Sequence, residues 1–552
     1  MLVLRCLLLA VTFAGHSRLT NASIFTSINR IKHMVLSEKS ILHKLQRGLG
    51  KLDNGPKGSI FQRFHDQRLH KLNERNVTSL LVSLRHPNGL YQVINEYAGI
   101  YNGLRKALNG MPLSAEVQDQ LANIADDDDV IGARKSLVRL QNIYGLDPKE
   151  MIKGNYLGFE GPSLNPIDSY AIGQAAFSGG KYKESIDWLE VALQLSEDES
   201  DQNDMLDIHS MGRVGKNKDN NGIEPDSVRA LLGHAFQRLG DPATARKWLA
   251  EARREGSHDG NVDLGQLQET NDMEDNIKTA EDFKRLCKLQ HKTNTKITDH
   301  SLFCRYRSVY LPYYRFGEEV ISWSPFLSLF YDVISNREAE MIKRQASDKL
   351  FRGGVVEKTG GEIRSIRTSH ICFIDDKESQ TVKRLSARVQ ELTKLNTEIH
   401  PGGFHNGQSG SEPLQVVNYG LGGHYSVHID PYTVMNHETS VITQNHGNRL
   451  ATFLVYLSSV ERGGSTAFPV MDIVVSPIKN GAVFWYNYTP AGNLDTRTYH
   501  ASCPVVVGEK WVSNKWIMSY SNTFTRRCGR RKHDKQKDIE KDVYSDYSQP
   551  AY

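Results

Sequence analysis

"GGHYSVHID", residues 422–430, has the alternating pattern of a β-strand and gathers its polar side chains on one face. Because side chains alternate between the two faces of a strand, one face would carry His424, Ser426, His428 and Asp430, and the other Tyr425, Val427 and Ile429. His428 and Asp430 should therefore point the same way, as one imidazole and one carboxylate ligand of a metal. Ordinary strand polarity explains an isolated pair equally well, so a metal site requires a third ligand from elsewhere.

The sequence on both sides of this stretch is rich in strand patterns, from about residue 283 to residue 525. β-Branched and aromatic runs alternate with Gly and Pro in EPLQVVNYG, RLATFLVYLS, DIVVSP and GAVFWYN. The preceding sequence has helical periodicity, and 552 residues exceed what one hydrophobic core can organise. We therefore predict a multidomain α+β protein.

Residues 1–15 have the pattern of a secretory signal peptide, because Arg5 precedes an apolar run from Cys6 to Ala14. The run is too short to cross a bilayer, and cleavage could occur as late as residue 22. No later segment predicts a membrane span, and the net charge of +4 gives no sign of nucleic-acid binding. We expect a soluble protein of the secretory pathway whose basic tail, residues 526–552, is disordered.

Residues 23–150 are predicted to form a helical region. The stretch ILHKLQRGLGKL places Ile41, Leu45, Leu49 and Leu52 on one stripe, which suits either an internal core or a seam between two chains. Asn76 lies in an N-x-S/T sequon that we predict to be a glycosylation site on an exposed loop. The sequon of Asn487 falls in a strand pattern and is not expected to be used.

Residues 155–262 contain an internal repeat. GQAAFSGGKYKESIDWLEVA from Gly173 aligns with GHAFQRLGDPATARKWLAEA from Gly233 at a constant offset of 60 residues. Small residues on one helix and large apolar residues on the next are what tightly packed helix hairpins of the tetratricopeptide type require. The offset is longer than the usual tetratricopeptide period of about 34 residues, and the polar insert SEDESDQNDMLDIHSMGRVGKNKDNNG accounts for the excess. Stacked hairpins form concave grooves for extended peptides, and a plain helical spacer is the alternative.

Five cysteines follow the leader, and four of them form two local pairs in sequence. Cys287 with Cys304 and Cys503 with Cys528 would close loops of about 18 and 26 residues, and each disulfide would contribute about 3 kcal/mol. Cys372 is expected to be a buried thiol. No CxxC motif occurs, so the cysteines indicate neither a zinc ribbon nor a redox-active site.

The third candidate metal ligand is His500, in TRTYHASCPVVVGEKWVSNKW, which is followed ten residues later by Lys510. With the H-x-D pair, GGSTAFP and FWYN, these motifs resemble the 2-oxoglutarate- and iron-dependent dioxygenases, and more closely the α subunit of collagen prolyl 4-hydroxylase. The resemblance extends over the chain up to the basic tail. It implies a C-terminal double-stranded β-helix (jelly-roll) domain at residues 283–525, after a tetratricopeptide-like peptide-binding domain and an N-terminal dimerisation region.

The resemblance implies that His428, Asp430 and His500 bind Fe(II), with 2-oxoglutarate and O2 as cosubstrates and ascorbate as a further cofactor. Lys510 would pair with the far carboxylate of 2-oxoglutarate, and the Tyr419 hydroxyl would donate to the same cosubstrate. The implied reaction couples oxidative decarboxylation of 2-oxoglutarate to hydroxylation of peptidyl proline at C4 through a ferryl intermediate.

Three further residues are implied to contact a proline-rich or collagen-like peptide. Arg449 resembles a peptide-contacting residue, with a surface ion pair as the alternative, and Tyr182 and Phe177 lie in the predicted groove. Proline-rich peptides dock on aromatic surfaces, and the family's groove is rich in tyrosine. This chain has Phe177, Leu231 and His234 near positions where tyrosine is expected, so a non-collagen proline-containing peptide is an alternative substrate.

The resemblance also implies assembly with protein disulfide isomerase as a β subunit, in an α2β2 tetramer of the endoplasmic reticulum lumen. Among rival enzymes, a lysyl hydroxylase would anchor 2-oxoglutarate with arginine, and a zinc hydrolase would not need Lys510. A non-catalytic collagen-binding or chaperone subunit would keep the repeats and lose a metal ligand. All three ligands are present here.

Overall fold

Helices fill the N-terminal half of the chain, and antiparallel sheets fill the C-terminal half. The computed structural model describes residues 23–49, 56–108, 114–207, 223–252, 277–289, 302–308, 315–353, 355–356, 362–363, 366–433, 436–526, 528–529, 531 and 534. The predicted signal peptide and most of the basic tail lie outside these residues. Among the described helices, none combines the length and apolar character that a membrane crossing requires.

The helical region begins with a short 3₁₀ turn, Ile24–Thr26, and continues as a series of α-helices. Their starts follow ordinary capping chemistry. The Asn165 side chain accepts a hydrogen bond from the Asp168 backbone N–H, and Pro166 occupies the first helical position behind it. The helices are α1 (Ile28–Leu49), α2 (Pro56–Glu74), α3 (Val77–Ser83), α4 (Pro87–Leu108), α5 (Ala115–Ala122), α6 (Asp127–Tyr144), α7 (Pro148–Ile152), α8 (Pro166–Ser178), α9 (Tyr182–Asp207), α10 (Pro225–Leu239), α11 (Pro242–Ala252) and α12 (Ile277–Lys288).

The predicted apolar stripe of α1 faces the interior of the helical region. Ile41 is 3% and Leu45 is 0% exposed, in a core shared with α4 and α6. Leu52 lies outside the described residues. For Ile41 and Leu45 the internal-core alternative is therefore confirmed.

The repeat folds as two helical hairpins, α8–α9 and α10–α11, that pack side by side. A Cβ added to Gly173 would lie 2.9 Å from Leu189 Cδ2, and one added to Gly233 would lie 2.6 Å from Leu249 Cγ. Each hairpin thus closes on the same contact between a glycine and a leucine, 60 residues apart. The polar insert begins as an extension of α9 to Asp207, and its remainder lies outside the described residues.

The sheet domain contains a nine-stranded sheet in the order β1-β2-β3-β14-β10-β17-β8-β7-β4 and a four-stranded sheet in the order β13-β12-β15-β9. Two-stranded ribbons β11–β16 and β5–β6 complete it, and all pairings are antiparallel. The elements are β1 (Cys304–Ser308), β2 (Arg315–Trp323), β3 (Phe326–Phe330), α13 (Asn336–Ser347), β4 (Phe351–Arg352), β5 (Val355–Val356), β6 (Glu362–Ile363), β7 (Ser369–Ile374), α14 (Gln380–Thr393), β8 (Leu414–Tyr419), β9 (Tyr425–His428), α15 (His437–His446), β10 (Arg449–Tyr456), β11 (Val460–Gly463), β12 (Thr466–Phe468), β13 (Ile473–Val475), β14 (Ala482–Tyr486), β15 (His500–Ser502), β16 (Val505–Gly508) and β17 (Trp511–Met518).

The two larger sheets face each other across one hydrophobic core. Val417 and Trp485 of the nine-stranded sheet join Phe468 of the four-stranded sheet in this core. The other face of the nine-stranded sheet packs on α13 and α14. Ala467 and Ala501 of the four-stranded sheet belong instead to the core of the helical region. The four-stranded sheet is therefore covered on both faces, which shields its strands from water.

Helix α12 connects the two halves, and it corrects the predicted disulfides. Cys287 of α12 bonds to Cys503, whose Cα atom is 5.6 Å away although 216 residues separate the two. The local pairs Cys287–Cys304 and Cys503–Cys528 are therefore wrong for this structure, in which Cys304 and Cys528 are free and exposed. The reason is that α12 lies against α6 and β12, beside the residue that follows β15. Cys372 is a free, buried thiol, as predicted.

The predicted domain boundary at residue 283 lies inside α12. Phe283 and Leu286 of this helix are buried in the core of the helical region. The helix thus packs with the N-terminal half of the chain while its disulfide reaches the sheet domain.

Candidate functional site

Strands β9 and β15 bring the three predicted metal ligands together. His500 lies opposite His428 in this antiparallel pair, and Asp430 lies two residues beyond the end of β9. The Nε2 atom of His428 lies 3.7 Å from Oδ1 of Asp430, and Nε2 of His500 lies 3.7 Å from Oδ2. One ligand atom from each side chain lies within 4.8 Å of the other two. The arrangement converges on a single point, as a metal site requires.

Both imidazoles present the correct nitrogen to this point. Nδ1 of His428 lies 2.8 Å from the Ser426 carbonyl oxygen, and Nδ1 of His500 lies 3.1 Å from the Thr498 carbonyl oxygen. A proton donated from Nδ1 to each carbonyl leaves the Nε2 lone pair free for a metal. Burial, reinforced by neighbouring His500, lowers the pKa of His428 to about 3, so this imidazole is neutral at physiological pH. Two imidazoles that each offer Nε2, together with one carboxylate, are a donor set that fits Fe(II).

Two residues that sequence reasoning missed hold the Asp430 carboxylate. Thr452 Oγ1 donates a hydrogen bond to Asp430 Oδ2 at 2.5 Å, and Asn487 Nδ2 donates to Thr452 Oγ1 at 3.2 Å. Burial alone would raise the pKa of Asp430, but the two imidazoles, Arg449 and the Thr452 hydroxyl hold it below its usual value. Asn487 is 0% exposed, in agreement with the expectation that its sequon is not used.

The predicted alternation fails at one position of β9. Along this strand, His428 pairs with His500, but Tyr425 pairs with Ser502, so three residues of β9 span two residues of β15. Such a bulge reverses the face on which the following side chains lie. The Tyr425 ring consequently stacks on His428, with ring centroids 3.6 Å apart, instead of facing away from it. The guanidinium of Arg367 covers the Tyr425 ring at 4.6 Å and completes the stack.

Lys510 lies in a buried pocket formed by β8, β15 and β17. Its ammonium donates a hydrogen bond to Ser502 Oγ at 2.7 Å and lies 4.9 Å from the centroid of the Tyr419 ring. Ser502 also hydrogen-bonds Tyr419. Lys510 is 2% exposed, and burial lowers the pKa of its ammonium to about 7. Ser502, which follows His500 by two residues, was not singled out from the sequence.

Arg449 makes an ion pair, but a largely buried one. Its Nε and Nη2 atoms donate to Glu412 Oε1 and Oε2 at 2.6 and 2.9 Å, a bidentate geometry. Nη1 donates to the Asp430 carbonyl oxygen at 3.1 Å. The guanidinium lies 3.5 Å from the Trp516 ring centroid and 4.3 Å from that of Tyr432. Arg449 therefore connects Asp430 to Trp516 and Tyr432, and its ion pair, the alternative to a peptide contact, is largely buried instead of lying on the surface.

Of the predicted groove residues, the structure leaves only some accessible. Phe177 is 4% exposed and Leu231 is 2% exposed, and both belong to the core between the hairpins. Tyr182 is half-buried, with its ring edge-to-face to Phe177 at 5.5 Å. His234 is also half-buried. Tyr182 and His234 can meet a ligand on the surface of the hairpins, whereas Phe177 supports Tyr182 from below.

Two remaining candidates lie away from the metal ligands. His424 contributes no atom to the ligand set, and at 7% exposed it is buried. Its Nδ1 atom has no hydrogen-bond partner among the described residues, and burial, with Arg139 and Arg352 nearby, holds its pKa well below the usual value. Asn76 is exposed and caps α3, since its side chain accepts a hydrogen bond from the Ser79 backbone N–H at 3.0 Å.

Comparison with known proteins matches both halves of the chain. The family model described as Prolyl 4-Hydroxylase alpha-subunit, N-terminal region, matches residues 27–158, and that of the 2OG-Fe(II) oxygenase superfamily matches residues 414–518. Prolyl 4-hydroxylase subunit alpha-2 of Gallus gallus is 30% identical over 93% of this chain and 96% of its own length. Prolyl 4-hydroxylase subunit alpha-1 of Homo sapiens is 28% identical over 92% of this chain and 96% of its own.

A solved structure, the viral collagen prolyl hydroxylase of Paramecium Bursaria Chlorella virus-1 in complex with 2OG, is 24% identical. It covers 35% of this chain and 95% of its own, with a TM-score of 0.27. The identity and coverage of the curated relatives, together with the two family models, establish the family. The chain belongs to the prolyl 4-hydroxylase alpha subunits.

Proposed function

We propose that this chain hydroxylates peptidyl proline at C4, with Fe(II) held by His428, Asp430 and His500. Family membership establishes the class: a 2-oxoglutarate- and Fe(II)-dependent dioxygenase that uses O2 and acts on peptidyl proline. The observation that carries the site assignment is Lys510. Together with Tyr419 and Ser502, this residue would bind the far carboxylate of 2-oxoglutarate.

Lys510 has the properties of an anion receptor. A buried ammonium is unstable unless it is paired, and among the described residues no carboxylate forms an ion pair with it. Its polar contacts are the hydroxyl of Ser502, on the strand that carries His500, and the face of Tyr419 on β8. A dicarboxylate that reaches from the metal towards Lys510 would neutralise this charge. This geometry supports 2-oxoglutarate as the cosubstrate.

The chain's own residues would position and shield the reacting groups. When bound, Fe(II) and 2-oxoglutarate supply the oxidising chemistry, in which decarboxylation of the cosubstrate with O2 is coupled to hydroxylation. Thr452 orients the Asp430 carboxylate, and the backbone carbonyls of Ser426 and Thr498 orient the two imidazoles. The ring of Trp485 lies 4.7 Å from that of His500 and keeps water from that side of the ligand set.

For the substrate, we propose a collagen-like or other proline-containing peptide bound to a tetratricopeptide-like domain at residues 155–262. The two equivalent hairpins and the accessible Tyr182 support this assignment. Two facing antiparallel sheets with the ligands on the smaller one support a double-stranded β-helix for residues 283–525. Residues 23–150 would form the N-terminal dimerisation region.

We also propose residence in the endoplasmic reticulum lumen and assembly with protein disulfide isomerase as an α2β2 tetramer, with ascorbate as a cofactor. The leader-like residues 1–15 and the Cys287–Cys503 disulfide support an oxidising compartment. The partner, the tetramer, ascorbate and glycosylation at Asn76 rest on family resemblance and the sequon. Co-purification of the full chain with its β subunit tests the assembly.

The function is tested by measuring 2-oxoglutarate decarboxylation with Fe(II), O2 and a panel of peptides that contain proline in different contexts. We expect proline-containing peptides to stimulate turnover and to gain 4-hydroxyproline, while the same peptides with alanine in place of proline do neither. Tyr182→Ala should raise the KM for the peptide and leave the KM for 2-oxoglutarate unchanged. If no peptide stimulates turnover, the proposed activity is wrong.

The pH dependence of 2-oxoglutarate binding follows from the pKa of Lys510, which burial lowers to about 7. Below this pH the free ammonium is charged and can receive the carboxylate, and above it the neutral amine must first take up a proton. The Kd should therefore rise with pH above about 7, by up to about tenfold per pH unit. Calorimetry on the iron-loaded chain between about pH 6 and pH 9 measures this dependence. Lys510→Arg, which stays charged, should show a flat profile, and a flat wild-type profile would contradict the assignment.

A further inference from the structure

The start of the helical region is inserted against the strands of the cosubstrate pocket. We call residues 24–32, which comprise the short 3₁₀ turn and the beginning of α1, the docking segment. The Leu421 backbone N–H donates to the Phe25 carbonyl oxygen at 3.2 Å. A Cβ added to Gly420 would lie 2.1 Å from the same oxygen, so only glycine permits this approach. The docking segment therefore contacts the backbone directly after β8, the strand that ends at Tyr419.

Asn418 is the main contact between the docking segment and β8. Its Oδ1 accepts hydrogen bonds from Ser27 Oγ at 2.6 Å and from the Asn29 backbone N–H at 3.0 Å. Its Nδ2 lies 3.4 Å from Glu509 Oε1 and 3.5 Å from the Lys510 carbonyl oxygen. Ser27 and Asn418 are both 0% exposed. The amide thus connects the helical region on one side to the residues around Lys510 on the other.

Glu509 forms a second connection. Its carboxylate makes an ion pair with Lys32 of the docking segment and accepts a hydrogen bond from Trp511 Nε1 at 2.8 Å. Glu509 therefore holds the turn that leads into β17 from the same side as Asn418. Lys510 is the next residue along this turn.

The docking segment contacts Asn418 and Glu509, and each of these residues precedes a residue of the proposed cosubstrate pocket. Tyr419 faces the core between the two sheets, and the preceding residue, Asn418, faces the opposite way. In the turn before β17, Glu509 and Lys510 likewise point to opposite sides, since Glu509 contacts Asn418 and Lys510 contacts Tyr419. The Tyr419 backbone N–H donates to the Lys510 carbonyl oxygen at 3.1 Å, which ties the two strands together. A shift of Asn418 and Glu509 would therefore also move the side chains of Tyr419 and Lys510.

We infer that Asn418 is a positioning residue for the 2-oxoglutarate pocket, held in place by Ser27 and Lys32 of the helical region. The inference rests on the proposed roles of Lys510 and Tyr419. It means that the cosubstrate pocket is incomplete without the docking segment. Binding sites lose affinity when the residues behind the contacting side chains are loosened, because the bound geometry is then no longer preorganised.

The test measures the Kd for 2-oxoglutarate by anaerobic calorimetry on the iron-loaded full chain, alongside kcat and the KM for peptide. Ser27→Ala should raise the Kd about 3- to 10-fold, the change expected for one lost buried hydrogen bond. Lys32→Met, in a partly exposed ion pair, should raise it about 2- to 3-fold. We expect the peptide KM, and kcat at saturating 2-oxoglutarate, to stay near the wild-type values.

Two controls separate positioning from a general loss of stability. Ser27 Oγ also accepts the Arg30 backbone N–H at 3.2 Å, so Ser27→Thr, which keeps the hydroxyl, should restore wild-type binding. Tyr144→Phe removes another buried hydrogen bond between the halves of the chain, from the Tyr144 hydroxyl to the Pro504 carbonyl oxygen, and should leave the Kd unchanged. If Ser27→Ala does not fold, Lys32→Met carries the test, since its side chain is 31% exposed.

The outcomes distinguish this inference from the proposed function. A wild-type Kd in both Ser27→Ala and Lys32→Met overturns the positioning role, as does an equal rise of the Kd in Tyr144→Phe. Lys510→Ala is measured in parallel. If Lys510→Ala loses 2-oxoglutarate while the docking-segment variants keep it, only the positioning role is wrong. If Lys510→Ala binds as wild type does, the proposed anchor itself is wrong.

Discussion

Replacing His428 with alanine should abolish hydroxylation and remove the tightly held Fe(II). The imidazole would supply one of three protein ligands, and among the described residues no other His, Cys, Asp or Glu joins this group. Loss of a residue that merely orients a metal ligand costs about 10- to 100-fold in affinity or activity, so loss of a ligand should exceed about 100-fold. Iron content after dialysis and hydroxyproline formation measure the two effects independently.

The matched control is His424→Asn, on the same segment of chain and four residues away. His424 is buried but contributes no atom to the ligand set. We expect this variant to keep its iron and to hydroxylate peptide within about threefold of wild type, even if its stability falls, because surface and core changes act on folding rather than on chemistry. Retention of iron by His428→Ala, or loss of iron from His424→Asn alone, would show that the ligand assignment is incorrect.

Replacing Lys510 with alanine should weaken 2-oxoglutarate binding by about 100-fold or more. Removal of one partner of a buried ion pair costs about 3 kcal/mol or more, because the remaining charge is left without compensation. The KM and Kd for 2-oxoglutarate should rise together, whereas iron content should not change, since Lys510 contacts Ser502 and Tyr419 rather than the metal ligands.

Lys515→Met provides the comparison for this variant. Lys515 lies on β17 five residues beyond Lys510, is 1% exposed, and pairs with Asp376 at 3.2 Å. Its removal should lower the free energy of unfolding without a change in the Kd for 2-oxoglutarate, because its ammonium is already paired within the protein. Equal effects of the two substitutions on the Kd would mean that Lys510 has only a structural role.

The sequence identifies the candidate metal ligands and the lysine proposed to bind the cosubstrate, but not their geometry. His428 and Asp430 are two positions apart, and His500 and Lys510 are ten apart with a strand and a turn between them. Strand periodicity places only His428 and Asp430 on one face. The roles of His500 and Lys510 come from the resemblance to the dioxygenase family, whose motifs they match. The 60-residue repeat is recognisable from the sequence alone, since each hairpin carries its own glycine and leucine contact.

The residues that hold Asp430 and Asn418 in place could not be predicted from the sequence in this way. Thr452 of β10 meets Asp430, and Asn487, which follows β14, meets Thr452 because β10 and β14 pair side by side. Ser27 meets Asn418 across 391 residues of sequence. The bulge that stacks Tyr425 on His428 depends on how β9 pairs with β15. Thr452 and Ser27 lie in none of the motifs quoted for the family, and Asn487, although it ends FWYN, shows no sign of its partner there, because each contact joins segments that are distant in sequence.

The amino-acid sequence thus contained the residues on which the proposed chemistry rests: the candidate ligand types, their order, the lysine proposed to anchor the cosubstrate and the division into helical and sheet halves. These properties depend on residue type and short-range periodicity, which are present in the unfolded chain. The pairing of Cys287 with Cys503, the support of Asp430 and the docking of residues 24–32 behind Lys510 arise from packing between distant segments. Such contacts form only when whole sheets and helices have found their places, because no local interaction is strong enough to specify them.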